Sequence, residues 1–100
     1  MRAEFSVTSE LNIVSYKNAT RSISPPPHDP LTLLIDDRIY QTCIRDLRRS
    51  GATSIGKTLE QGVPITRRAL CRRHNLRIGD RLLIEVEEPF MRYRLLRRTA

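Results

Sequence analysis

Residues 62–96, GVPITRRALCRRHNLRIGDRLLIEVEEPFMRYRLL, decide how this chain reads. Thr66 can cap a helix running to about His74, and Asn75 can serve as its left-handed stop. Beyond Gly79-Asp80, Leu82, Ile84 and Val86 alternate with Leu83, Glu85 and Glu87. After the Glu-Glu-Pro segment, Met91, Tyr93 and Leu95 alternate with Arg92, Arg94 and Leu96. Period-two alternation marks a half-buried strand, so residues 76–98 predict a hairpin whose last arginines share one strand face.

Working toward the N-terminus, Gly62 to Ile65 reads as a short strand and TSIGKTLE as another, with Gly56 in its middle. Ile39, Cys43, Ile44 and Leu47 recur at helical spacing behind Asp36-Asp37, a possible N-cap, with Arg48-Arg49 and Gly51 at the far end. That pattern predicts a first helix. LTLLI at 31–35 predicts a buried strand, and residues 5–17 contain strand-like stretches. Between them lies SISPPPHDP, whose prolines exclude helix. An offset of 28 residues places Cys43 on Cys71 and Gly51 on Gly79, suggesting a strand–strand–helix unit occurring twice. The expected fold is α+β: about six short strands and two helices in a small, mostly β barrel or swapped-hairpin arrangement. Residues 1–30 are expected to form an N-terminal strand and proline-rich linker, and 31–98 one α+β domain.

One hundred residues support one modest core. The net charge is +7, from sixteen arginines and two lysines against eleven acids. Its placement is uneven, with a balance of +1 over residues 1–64 and +6 over 65–100. A local positive field attracts polyanions, and the planar guanidinium suits phosphate. The alternative is a solvated arginine-rich face or a dock for an acidic protein. No apolar run is long enough to span a membrane, and the opening residues lack the apolar stretch of a signal peptide, so the expected compartment is the cytoplasm. Cys43 and Cys71 form no metal spacing and read as free thiols, so no metal or cofactor is expected.

The stretch from Gly62 resembles the AbrB/MazE-like swapped-hairpin family of transition-state regulators and antitoxins. Gly62, Leu70, Leu76, Gly79, Asp80, Leu82, Ile84 and Val86 fall at that family's places, while Thr66-Arg67 stand where it has Ile-Pro. The resemblance, over roughly residues 55–97, implies a cradle-loop barrel, a homodimer, and DNA contact through Arg67, Arg68, Arg72 and Arg73. Charge placement adds Arg77, Arg92, Arg94, Arg97 and Arg98 to the candidate nucleic-acid-binding residues. The order of elements from residue 31 is also similar to the Alba family, which implies a DNA- or RNA-binding protein. The expected partner is therefore nucleic acid, DNA ahead of RNA, and the expected role is a DNA-binding regulator or antitoxin. A protein-interaction or assembly module docking on an acidic or ribonucleoprotein surface is the second class.

A third class rests on GATSIGKT at 51–58, which satisfies the phosphate-loop pattern G-x-x-x-x-G-K-[ST]. Gly51 and Gly56 would free the backbone to wrap phosphate, Lys57 would reach its oxygens, and Thr58 would hold magnesium. Only LEQ separates Thr58 from Gly62, which leaves no room for the helix that such a loop needs. The chain is therefore not expected to be an enzyme. His74 shares a helix face with Leu70 and reads as a packed histidine rather than a base.

Overall fold

The computed structural model describes residues 1–15, 24–47 and 52–99. These form β1 (Arg2–Val7), β2 (Ile13–Ser15), β3 (Leu31–Ile35), β4 (Arg38–Thr42), β5 (Ile44–Leu47), β6 (Ala52–Ile55), β7 (Thr58–Glu60) and β8 (Val63–Ile65). A single helix among the described residues, α1 (Arg67–Arg73), then leads into β9 (Arg81–Glu88) and β10 (Arg92–Thr99). The strands hydrogen-bond in the order β5-β6-β2-β1-β9-β10-β3-β4-β7-β8. The fold is therefore a small β-rich shell with one short helix, which corrects the α+β reading with two helices and six strands.

The central hairpin follows the predicted alternation. Leu82, Ile84 and Val86 are buried, as is Tyr93 across from Val86. β1 runs antiparallel along β9, and β3 runs parallel along β10. Because one chain supplies both flanks of the hairpin, its core closes without a swapped partner, and the swapped-hairpin arrangement is not the one found. Residues 2–15 belong to this same sheet. Inward side chains from every layer meet in one cluster that includes Phe5, Leu33, Ile35, Tyr40, Ile44, Leu82 and Tyr93. Each large side chain so buried contributes about 1.5–3 kcal/mol.

Over residues 38–47 the predicted first helix is instead β4 and β5, while its last turn at Arg48-Arg49 and its stop at Gly51 lie outside the described residues. Asp36 and Asp37 both take positive φ, 48° and 67°, and Ile35 pairs with Arg38 around them. Two left-handed residues in a two-residue hairpin loop are the signature of a type I′ turn, so the aspartates turn the chain rather than cap a helix. Tyr40, Thr42 and Ile44 are buried at period two, while Ile39, counted on the helical face, is exposed. Tyrosine and β-branched residues suit that extended surface. With the first helix gone, the proposed ββα duplication goes too. TSIGKTLE is likewise two strands, β6 and β7, separated by Gly56-Lys57.

Two junctions close the shell. β4 and β5 are separated only by Cys43, and β6 and β7 only by Gly56-Lys57, yet each junction joins strands near opposite ends of the ladder. The sheet must therefore curl until its ends approach. There the Gly56 N–H donates to the Cys43 carbonyl at 2.8 Å. A Cβ on Gly56 would lie 2.8 Å from Cys43 Sγ, so any larger residue there forces a neighbouring side chain to shift.

Candidate nucleic-acid interface

The helix carrying the arginines is built as its sequence suggests. Thr66 Oγ1 accepts from the Ala69 N–H at 3.1 Å, capping the first turn. At the other end Asn75 has φ 56°, its N–H donates to the Arg72 carbonyl, and the Leu76 N–H donates to the Cys71 carbonyl. That is a Schellman stop with asparagine in the left-handed position. Leu70 and Cys71 face the core, leaving Arg67, Arg68, Arg72 and Arg73 on the outer side. The chain then turns through Gly79 at φ 90°, where a side chain would be strained, and the Asp80 carboxylate accepts from the Arg77 N–H at 2.9 Å.

The nine predicted arginines separate into distinct environments. Arg67 Nη1 donates to Asn12 Oδ1 at 2.7 Å. Arg73 Nη1 donates to Glu60 Oε1 at 2.6 Å and to the Tyr40 hydroxyl at 3.3 Å. Arg92 lies near Glu87 and Glu88, and Arg94 Nε donates to Glu87 Oε2 at 3.0 Å. Arg68, Arg72 and Arg77 have no side-chain partner among the described residues, and all three are exposed. Arg81, at the start of β9, is in the same condition and was not singled out by the sequence.

The predicted arginine face of residues 92–98 is interrupted. Two register shifts divide β9–β10, one at Arg92/Tyr93 and one at Leu95/Arg97. The first leaves Glu87 as the extra residue of β9, where it meets both Arg92 and Arg94. The second leaves Leu96 as the extra residue of β10, which breaks the period-two phase before Arg97 and Arg98. The side chains of Arg97 and Arg98 lie outside the described residues.

Beside the free arginines runs a directional chain of hydrogen bonds. Arginine can only donate, so Arg73 places its N–H on the Tyr40 oxygen. The Tyr40 O–H is then directed to His74 Nε2, 2.5 Å away. That leaves Nδ1 to carry the imidazole proton and donate it to Asp36 Oδ2 at 2.9 Å. Tyr40 and His74 are buried, while Asp36 is exposed at the hairpin turn. The Arg73 guanidinium holds the Glu60 carboxyl below its ordinary range, Arg38 adding to the effect and desolvation opposing it. The Tyr40 hydroxyl and Glu60 in turn raise Arg73. Arg73 thus serves this network. The residues it joins are 13 to 38 positions apart, a separation that local pattern cannot reveal.

In the GATSIGKT segment, Gly51 lies outside the described residues. The Gly56 N–H is taken by Cys43, and the buried Thr58 hydroxyl lies 3.1 Å from Thr42 Oγ1. Lys57 is exposed, and a strand rather than a helix follows. Among the described residues no group of three or more His, Cys, Asp or Glu could hold a metal ion, and no helix is long and apolar enough to cross a membrane. No family model, curated protein or solved structure matches the chain.

Proposed function

We propose that this protein binds nucleic acid by its phosphate backbone, through Arg68, Arg72 and Arg77, with Arg81 as a fourth exposed arginine. One observation carries the reading: these arginines have no acidic partner among the described residues, whereas Arg73, Arg92 and Arg94 are bound to glutamates. An unpaired exposed guanidinium keeps its field and its five donors for an incoming phosphate, while a paired one has them satisfied already. Arg68 and Arg72 stand one turn apart on α1, so their side chains share a face. Phosphate contacts release counterions, which makes such binding weaken steeply with salt.

The test is fluorescence anisotropy with labelled oligonucleotides from about 50 to 200 mM salt. Replacing Arg68, Arg72 and Arg77 together by alanine should weaken binding to every sequence alike. It should also flatten the log–log salt slope by about 2–3, at 0.7–0.9 per phosphate contact. Replacing Arg92 and Arg94 should change the slope far less. The reverse order of effects would move the interface to the hairpin, and no salt-sensitive binding at all would end the nucleic-acid reading.

A further inference from the structure

Three departures from regular backbone meet at one cleft. They are the left-handed Asp36-Asp37 turn, the left-handed Asn75 after α1, and the bulge at Leu96. The cleft has a volume of about 520 Å³ and is lined by Asp36, Arg73, His74, Asn75, Leu76, Leu95 and Leu96. In a regular strand Leu95 and Leu96 would point to opposite faces. Both line this cleft, and Leu96 remains 41% exposed. Bulges that re-aim a side chain, and residues held in sparsely populated conformations, concentrate at binding sites. The size falls within the range of small-molecule pockets.

Its chemistry is specific. Leu76, Leu95 and Leu96 border the cleft alongside the polar Asp36, Arg73, His74 and Asn75. Asp36 Oδ2 is fixed by His74, which the Tyr40 hydroxyl orients in turn. Asp36 Oδ1 has no hydrogen-bond partner among the described residues, so one acceptor of this exposed carboxylate is left over beside the cleft. Arg72 and Arg77 bracket the lining segment 73–76. A neutral ring with N–H donors, attached to anionic phosphate, meets every requirement.

We propose that this cleft receives an unpaired guanine of the strand whose phosphates lie on Arg68, Arg72 and Arg77, an inference that rests on the nucleic-acid reading above. Guanine presents N1–H and N2–H side by side, and both donate to the Asp36 carboxylate. The Asn75 amide can donate to O6, and the leucines cover the ring face. Adenine and cytosine each place a ring-nitrogen acceptor beside their amino donor, which a carboxylate repels. Uracil and thymine flank their single N–H with two carbonyls. Watson–Crick pairing occupies guanine N1–H and N2–H, so the base must come from a single strand, loop or end rather than from a duplex.

The experiment compares equal-length single strands, as RNA and as DNA, that differ at one position carrying guanine, inosine or adenine, together with the duplex of the guanine strand. Guanine should bind roughly tenfold more tightly than adenine, inosine should fall between them for want of N2–H, and the duplex should show no preference. A guanine preference in either RNA or DNA supports the proposal, and the tighter arm names the source. Asp36→Asn keeps an acceptor for His74 and suits positive φ, but presents an amide donor where Oδ1 stood. It should lower affinity for the guanine strand about tenfold, to the adenine level, while affinity for the adenine strand stays within about twofold and the melting curve is retained. Equal affinity for guanine and adenine, with salt-sensitive binding intact, overturns the cleft proposal and leaves the phosphate reading standing. A guanine preference that survives Asp36→Asn also overturns it. Absence of binding to any strand removes the underlying reading, and tighter binding of an arginine-bearing peptide reassigns the cleft to a protein partner.

Discussion

Asp36 and Asp37 turn the chain in a conformation that glycine adopts without strain and aspartate tolerates better than most residues. Asp37, exposed and with φ 67°, is the freer of the two to change. Asp37→Gly should raise stability by about 0.5–1 kcal/mol, read as a higher urea midpoint with unchanged slope. The pair was legible as a turn only through its flanks, since LTLLI and RIYQT alternate on either side of it. Taken alone, two aspartates before Ile39 fit an N-cap equally well. The cysteines give a second prediction at this scale. Burial first, and Asp80 after Arg67's opposing charge, pushes the Cys71 thiol up, whereas Cys43 is partly exposed. Since the thiolate is the reactive form, Cys43 should be modified by a thiol reagent in the native protein and Cys71 only on unfolding. Two equal fast phases would contradict that burial.

At the scale of elements, α1 and the β9–β10 hairpin could be read in advance because their cues are local: a threonine cap, an asparagine stop, and alternation around Tyr93. The segment 37–47 could not, because Ile39, Cys43 and Ile44 fit a helical period about as well as Tyr40, Thr42 and Ile44 fit a strand period. Pairing of β4 with β3 across the two-residue turn, and of β5 with β6, settled it. The same reason limits the candidate site. The surplus of charge in residues 65–100 was visible, but which arginines are free depends on Glu60, brought to Arg73 and Arg38 by the β7–β8 hairpin. Glu60 makes this pairing measurable. Its folded pKa lies below the usual 4.5, so its contribution to stability is complete above about that pH and is lost as pH falls through the lower folded value. Glu60→Gln should flatten the acid limb of a plot of urea midpoint against pH, and an unchanged limb would show the ion pair to be energetically silent.

For the whole molecule, the closing contact at Cys43 and Gly56 is the point where a small change should act furthest. A methyl group at Gly56 meets Cys43 Sγ at 2.8 Å and Arg45 Cγ at 3.1 Å. Gly56→Ala should cost about 1–3 kcal/mol in chemical unfolding, and adding Cys43→Ala should recover part of that loss. No local cue marks this closure, since TSIGKTLE reads as one strand with Gly56 in its middle rather than as two strands meeting at a corner. The ladder order has a further consequence for how the protein is made. β1 lies against β9, and β3 lies against β10, so strands made early in this stretch pair with strands made well after them. β9 and β10 must be synthesised before either long pairing can form. Until then the apolar faces of β1 and β3 are uncovered, and the nascent protein depends on rapid completion or on a chaperone to avoid association through those edges.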